Sequence, residues 1–214
     1  NYGYCDGKNI YHRRASLVMP KIKITKAIPH AKMMYHTHPS KDEPSLSSPD
    51  DYLLYMDLSH APRSIRHFMT VMKDRMDHFQ ITPKKGSKAN FLKLQEDKIL
   101  EEIDAKIGEL EKKWDAKTPV KDGVPKKEQH AANLEFCENI TRDLVKWMNT
   151  KYGKFFSFKY NCYYRVRKNP DGPTADNLHL DDEFLQKAIG DINSRRYSWP
   201  EFRTSDMPHE SYSY

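Results

Sequence analysis

The chain has 214 residues, 37% of them hydrophobic and 31% charged, with a mean hydropathy of −0.90. That length suits one domain with a sizeable core, or one domain with an appendage, and the sequence holds no apolar run long enough for a membrane span and no visible signal peptide. The net charge of +6 and pI of 9.0 admit an acidic partner, but 36 Lys and Arg are spread among 30 Asp and Glu, the pattern of a solvated charged surface rather than a nucleic-acid footprint.

Cys5, Cys137 and Cys162 are odd in number and widely spaced. They argue against a disulfide framework and for a reducing, intracellular compartment, cytoplasm or nucleus. Residues 1 to 35 read as β-rich, with short segments at Ile10 to Val18 and Ile22 to Ile28 broken by Pro20 and Pro29.

After Ala31 to Met34 comes Tyr35-His36-Thr37-His38-Pro39, then a turn-rich loop, then Ser47-Ser48-Pro49-Asp50-Asp51. On a β-strand, residues i and i+2 project to one face, so His36 and His38 can present both imidazoles to one point. Two neutral imidazoles and a carboxylate, with one coordination position left open, are the usual ligands of a catalytic zinc ion. Asp50 is the candidate third ligand. The same residues also make a good helix start, with Ser48 as N-cap, Pro49 at the first helical position and Asp51 in the capping-box position. On that reading Asp50 and Asp51 serve the helix dipole alone.

Met34-Tyr35-His36-Thr37-His38-Pro39, followed by Ser47-Ser48-Pro49-Asp50, resembles the JAMM (MPN+) metalloproteases, which include deubiquitinases of the proteasome lid and the signalosome. Over roughly residues 8 to 83, the resemblance implies an MPN-like mixed β-sheet flanked by helices. It also implies one zinc ion on His36, His38 and Asp50, with Ser47 helping to hold an oxyanion. A glutamate on an earlier strand acts as general base in that family. Asp6 is the only acid upstream of the motif and no glutamate precedes Glu43, so this expectation places the base before Asn1.

A short helix is expected from Asp50 to Ser59, with Leu53, Leu54 and Leu58 as apolar contacts. Two strands follow, Phe68 to Met72 and Met76 to Ile81, with a turn at Lys73-Asp74. Beyond Pro83 the apolar period changes from two to 3.6. Leu92, Ile99, Ile103, Ile107, Leu110 and Trp114 predict a long helix from Ala89 to Asp115, and Leu134, Cys137, Ile140, Leu144 and Trp147 a second ending near Gly153. Together they read as an antiparallel hairpin, a candidate assembly seam. Phe156 to Val166 alternates apolar and polar residues, the clearest strand of the chain, with Cys162 a core thiol on its apolar face. A short helix is expected from Asp181 to Asn193, and Arg195 to Tyr214 forms an aromatic tail suited to protein contacts.

The expected class is therefore α/β: an MPN (JAMM)-like mixed sheet flanked by helices, then a long helical hairpin, a further strand and a short helix. The divisions are residues 1–83 for the MPN-like core, 84–153 for the hairpin, 154–194 for the strand and short helix packing back on the core, and 195–214 for the tail. Two functions compete. One is a zinc isopeptidase cleaving lysine-linked ubiquitin-like conjugates. The other is an inactive MPN-fold scaffold within a protease lid, signalling complex or virion shell, joined to protein partners through the hairpin and tail. A third, weaker reading is a nucleic-acid binder using Arg165, Arg167 and Lys168.

Overall fold

Strand β3 (Met33–Thr37) is the run leading into the two histidines, and burial of both its faces explains why it reads as almost continuously apolar. Met34 joins the helix-side core, while Met33 and Tyr35, alternating with it, are equally buried on the opposite face. The computed structural model describes residues 2–5, 10–13, 33–38, 45–60, 65–71, 75–117 and 126–164. The expected segment Ile22 to Ile28, the helix Asp181 to Asn193, the basic group Arg165, Arg167 and Lys168, and the aromatic tail lie outside them.

The architecture is mixed α/β. Six strands form one sheet in the order β2-β1-β3-β4-β5-β6, with β1 (Tyr2–Cys5), β2 (Ile10–Arg13), β4 (His67–Val71), β5 (Arg75–Pro83) and β6 (Phe156–Tyr164) beside β3. The central pair β3 and β4 is parallel and every other pair antiparallel. A parallel neighbour requires a crossover connection, and helix α1 (Pro49–His60) provides it. Its start is the capping box expected from the sequence. The Asp51 N–H donates to Ser48 Oγ at 3.2 Å, and the Ser48 N–H donates back to Asp51 Oδ2 at 2.7 Å.

Residues Lys84 to Ser87 form a turn in which Gly86 adopts φ +75°, a conformation that favours glycine. The long helix expected from Ala89 is interrupted. A single turn, α2 (Lys88–Phe91), ends at Leu92, Gln95 is extended, and α3 (Glu96–Asp115) begins afresh. The break lets Phe91 pack between His60, Phe155 and Phe156, whereas a continuous helix would have to carry it past them. Leu92, expected on the apolar line, is 63% exposed as a result.

Helix α4 (Lys126–Lys151) runs beside α3. Asp143 accepts from Lys113 Nζ at 2.7 Å and from Trp114 Nε1 at 3.2 Å, and Glu102 pairs with Lys151 at 2.8 Å. Ile99, Ile103, Ile107 and Leu110 of α3 and Ile140, Leu144, Val145 and Met148 of α4 enter the same core as Tyr52 and Met56 of α1 and the strand residues Met34, Phe68, Phe79, Ile81, Phe156 and Phe158. The hairpin is thus a layer over the sheet. Burying an aliphatic side chain such as Ile103 fully contributes roughly 1.5–3 kcal/mol.

Strand β6 shows the expected alternation, with Phe156 and Phe158 buried and Lys159 and Asn161 exposed. Asn149 of α4 fixes this outer strand to the helix, accepting from the Phe158 N–H at 2.9 Å and donating to its carbonyl at 2.8 Å. No helix among the described residues is long and apolar enough to cross a membrane.

Candidate metal centre

One polar row crosses the helix side of the sheet. His36 of β3 is in register with Thr70 of β4, Thr70 with Asp77 of β5, and Asp77 with Cys162 of β6. The next row inward, Met34, Phe68, Phe79 and Tyr160, is apolar or aromatic and belongs to the core or packs on it. The polar row therefore lies at the edge of the core, where the N-terminus of α1 arrives.

His36 is buried near the end of β3 and His38 stands just past that end, with ring centroids 5.0 Å apart. Asp51, in the first turn of α1, faces both. Its Oδ1 lies 3.2 Å from His36 Nε2 and its Oδ2 3.2 Å from His38 Nε2. One ligand atom from each of the three residues lies within 4.8 Å of the others. Two ligands at about 2.0–2.1 Å from a tetrahedral zinc ion stand about 3.3 Å apart; each nitrogen–oxygen separation is of that size, through a different carboxylate oxygen for each histidine.

The far sides of both imidazoles are held by hydroxyls. Tyr55 Oη lies 3.2 Å from His36 Nδ1, and Ser45 Oγ lies 3.3 Å from His38 Nδ1. Tyr55 Oη is also 2.9 Å from Thr70 Oγ1, which is 2.9 Å from Ser47 Oγ. Outer partners of this kind fix ring orientation and leave the opposite nitrogens to converge. His36 Nε2 is buried and makes no hydrogen bond, although the Asp51 carboxylate is close by. A buried, orphaned nitrogen aimed at a carboxylate and a second imidazole is the arrangement that a cation completes. The donor set of two imidazoles and one carboxylate suits zinc and its borderline-soft neighbours.

Electrostatics favour the charged carboxylate. Burial works against ionisation of Asp51, but the His36 imidazole beside it and, after it, the hydrogen bond with His38 hold its pKa well below the usual carboxylate range. Tyr55, raised well above the ordinary phenol value by burial and then by Asp51, remains neutral and able to donate.

Comparison with family models, curated proteins and solved structures returns no match. The local geometry differs from the sequence expectation at two residues. The structure brings Asp51, not Asp50, to the histidines; Asp50 is exposed one position earlier in the same helical turn. Successive helical residues point about 100° apart, so the two acids cannot share a direction. Ser47, expected as the polar helper, is 1% exposed and bonded to Thr70 behind the site. Ser48 takes the position beside the carboxylate, its hydroxyl donating to Asp51 Oδ2 at 2.9 Å.

Tyr55, Thr70 and Ser45 were not picked out by sequence reasoning. Tyr55 follows Asp51 by four residues and so lies on the same helix face, a signal available in the sequence. Thr70 depends on strand register, and Ser45 on a contact with His38 across seven residues of sequence.

Proposed function

We propose that the chain is a JAMM-type zinc hydrolase with an MPN-like fold, in which His36, His38 and Asp51 hold the ion, acting on an amide of the isopeptide class. The observation that carries this reading is the convergence of His36 Nε2, His38 Nε2 and the Asp51 carboxylate, each imidazole anchored from behind by a hydroxyl. The parallel pair β3 and β4, joined by the helix that brings the carboxylate, supports it as the scaffold for such a group.

Zinc held there supplies a Lewis acid that polarises an amide carbonyl and lowers the pKa of coordinated water to about 7. The chain's own contributions are distinct. His36 and His38 bind through Nε2, because Tyr55 and Ser45 occupy their Nδ1 atoms. Asp51 supplies the negative charge and is aimed by the Ser48 N–H and hydroxyl. Thr70 and Ser47 orient Tyr55 from below.

The experiment is metal analysis of the purified chain beside the double variant His36→Ala/His38→Ala, with cleavage of lysine-linked ubiquitin-like chains assayed on the same samples. About one zinc per wild-type chain, lost in the variant, together with cleavage by the wild type alone, is the expected result. Zinc without cleavage would turn the reading toward a metal-stabilised scaffold, and no zinc would overturn the site.

A further inference from the structure

Behind the site lies a buried ion pair that the proposed chemistry does not use. Arg75 and Asp77 of β5 are both fully buried, with Arg75 Nη2 donating to Asp77 Oδ2 at 2.6 Å. Tyr160 of β6 donates its hydroxyl to Asp77 Oδ1 at 2.9 Å. A buried pair of this sort is weak support for stability, since apolar residues of similar volume commonly serve as well. Its remaining contacts suggest another role. Arg75 Nη2 donates to the Ser45 carbonyl at 3.3 Å, and Nη1 to the Leu134 carbonyl of α4 at 3.4 Å. Ser45 is the residue whose hydroxyl meets His38 Nδ1.

We propose that Arg75 is a positioning residue of the metal centre: its guanidinium fork, fixed by Asp77, grips the Ser45 carbonyl and so aims the Ser45 hydroxyl that orients His38. The inference rests on the metal-centre reading above. It follows from reach and shape. His38 lies beyond the end of β3, so its ring direction depends on the side chains that meet its two nitrogens, Ser45 at Nδ1 and Asp51 at Nε2. A rigid planar fork can hold a carboxylate and two carbonyls in fixed directions at once, which a lysine ammonium on a flexible stem cannot. The grip on Leu134 also ties Ser45 to the hairpin, placing α4, the sheet and Ser45 on one side chain.

The test uses the full chain and zinc alone, with affinity measured by chelator competition and the ligand field read from the absorption spectrum of the cobalt-loaded protein. Arg75→Lys keeps a cation for Asp77; Ser45→Ala keeps the gripped carbonyl and deletes the hydroxyl. The expected result is a zinc Kd raised about tenfold in each single variant, the range typical of outer partners, an altered cobalt spectrum, and no further loss when the two are combined. Arg75→Met/Asp77→Leu, which replaces the pair with apolar side chains, is expected to fold, by circular dichroism, and to show the same loss. A folded Arg75→Lys chain that binds zinc like the wild type would overturn the inference, as would a loss of equal size with and without the Ser45 hydroxyl. Wild-type protein that takes up no zinc would instead overturn the metal centre itself.

Discussion

Asp51 Oδ2 accepts from the Ser48 N–H at 2.7 Å while standing 3.2 Å from His38 Nε2, so one carboxylate both caps α1 and faces the histidines. Asp51→Asn should therefore show two losses. Zinc affinity should fall at least tenfold, and weakening the cap should cost about 1 kcal/mol in urea unfolding. Asp50→Asn, on the exposed neighbour, should leave zinc content unchanged and shift stability by only a few tenths of a kcal/mol through the helix dipole. Equal zinc loss in both variants would reverse the ligand assignment.

Tyr55→Phe removes one hydroxyl and keeps the stacking of its ring on Phe68, whose centroid lies 4.5 Å away. His36 Nδ1 and Thr70 then lose their shared partner. Stability should drop by about 1 kcal/mol, the usual worth of a buried hydrogen bond, and the zinc Kd should rise about tenfold. Isothermal titration of the metal-free protein measures the second effect independently of any catalysis.

The hairpin makes a contrasting pair of tests. Ile103 is fully buried against the common core, and Ile103→Ala should cost roughly 2–5 kcal/mol. Leu92, 63% exposed beside the helix break, should tolerate alanine within about 0.5 kcal/mol. Denaturant midpoints compare the two directly; a large effect at Leu92 would mean that α2 and α3 form one continuous helix.

His78 predicts how stability depends on pH. Burial, and then the neighbouring His67 ring 5.4 Å away, lower its pKa to about 3. An unfolded histidine titrates near 6.5. Between those values the unfolded chain binds a proton that the folded chain excludes, so stability is fully present above about pH 6.5 and is lost as pH falls toward 3. Going from pH 7 to pH 4 should remove roughly 2–3 kcal/mol. The slope over that window should be shallower in His78→Gln, which carries no titratable ring.

The elements that the sequence determined by itself are those whose side-chain pattern is local. Alternation along Phe156 to Tyr164 requires a half-buried strand, and Ser48-Pro49-Asp50-Asp51 requires a helix start, whatever surrounds them. His36 and His38 were legible as a pair because a strand sends i and i+2 to one side. The identity of the carboxylate was not legible. Asp50 and Asp51 differ by about 100° of helical phase, and only the docking of α1 on β3 and β4 decides which one faces the histidines. The break at Leu92 likewise turns on the space that His60, Phe155 and Phe156 leave for Phe91, a fit among residues distant in sequence. The hydroxyls of Tyr55 and Ser45, the register of Thr70 and the burial of Arg75 belong to the same category. Each depends on two or more elements meeting, and hydrogen-bond partners across such a meeting leave no periodic trace along the chain.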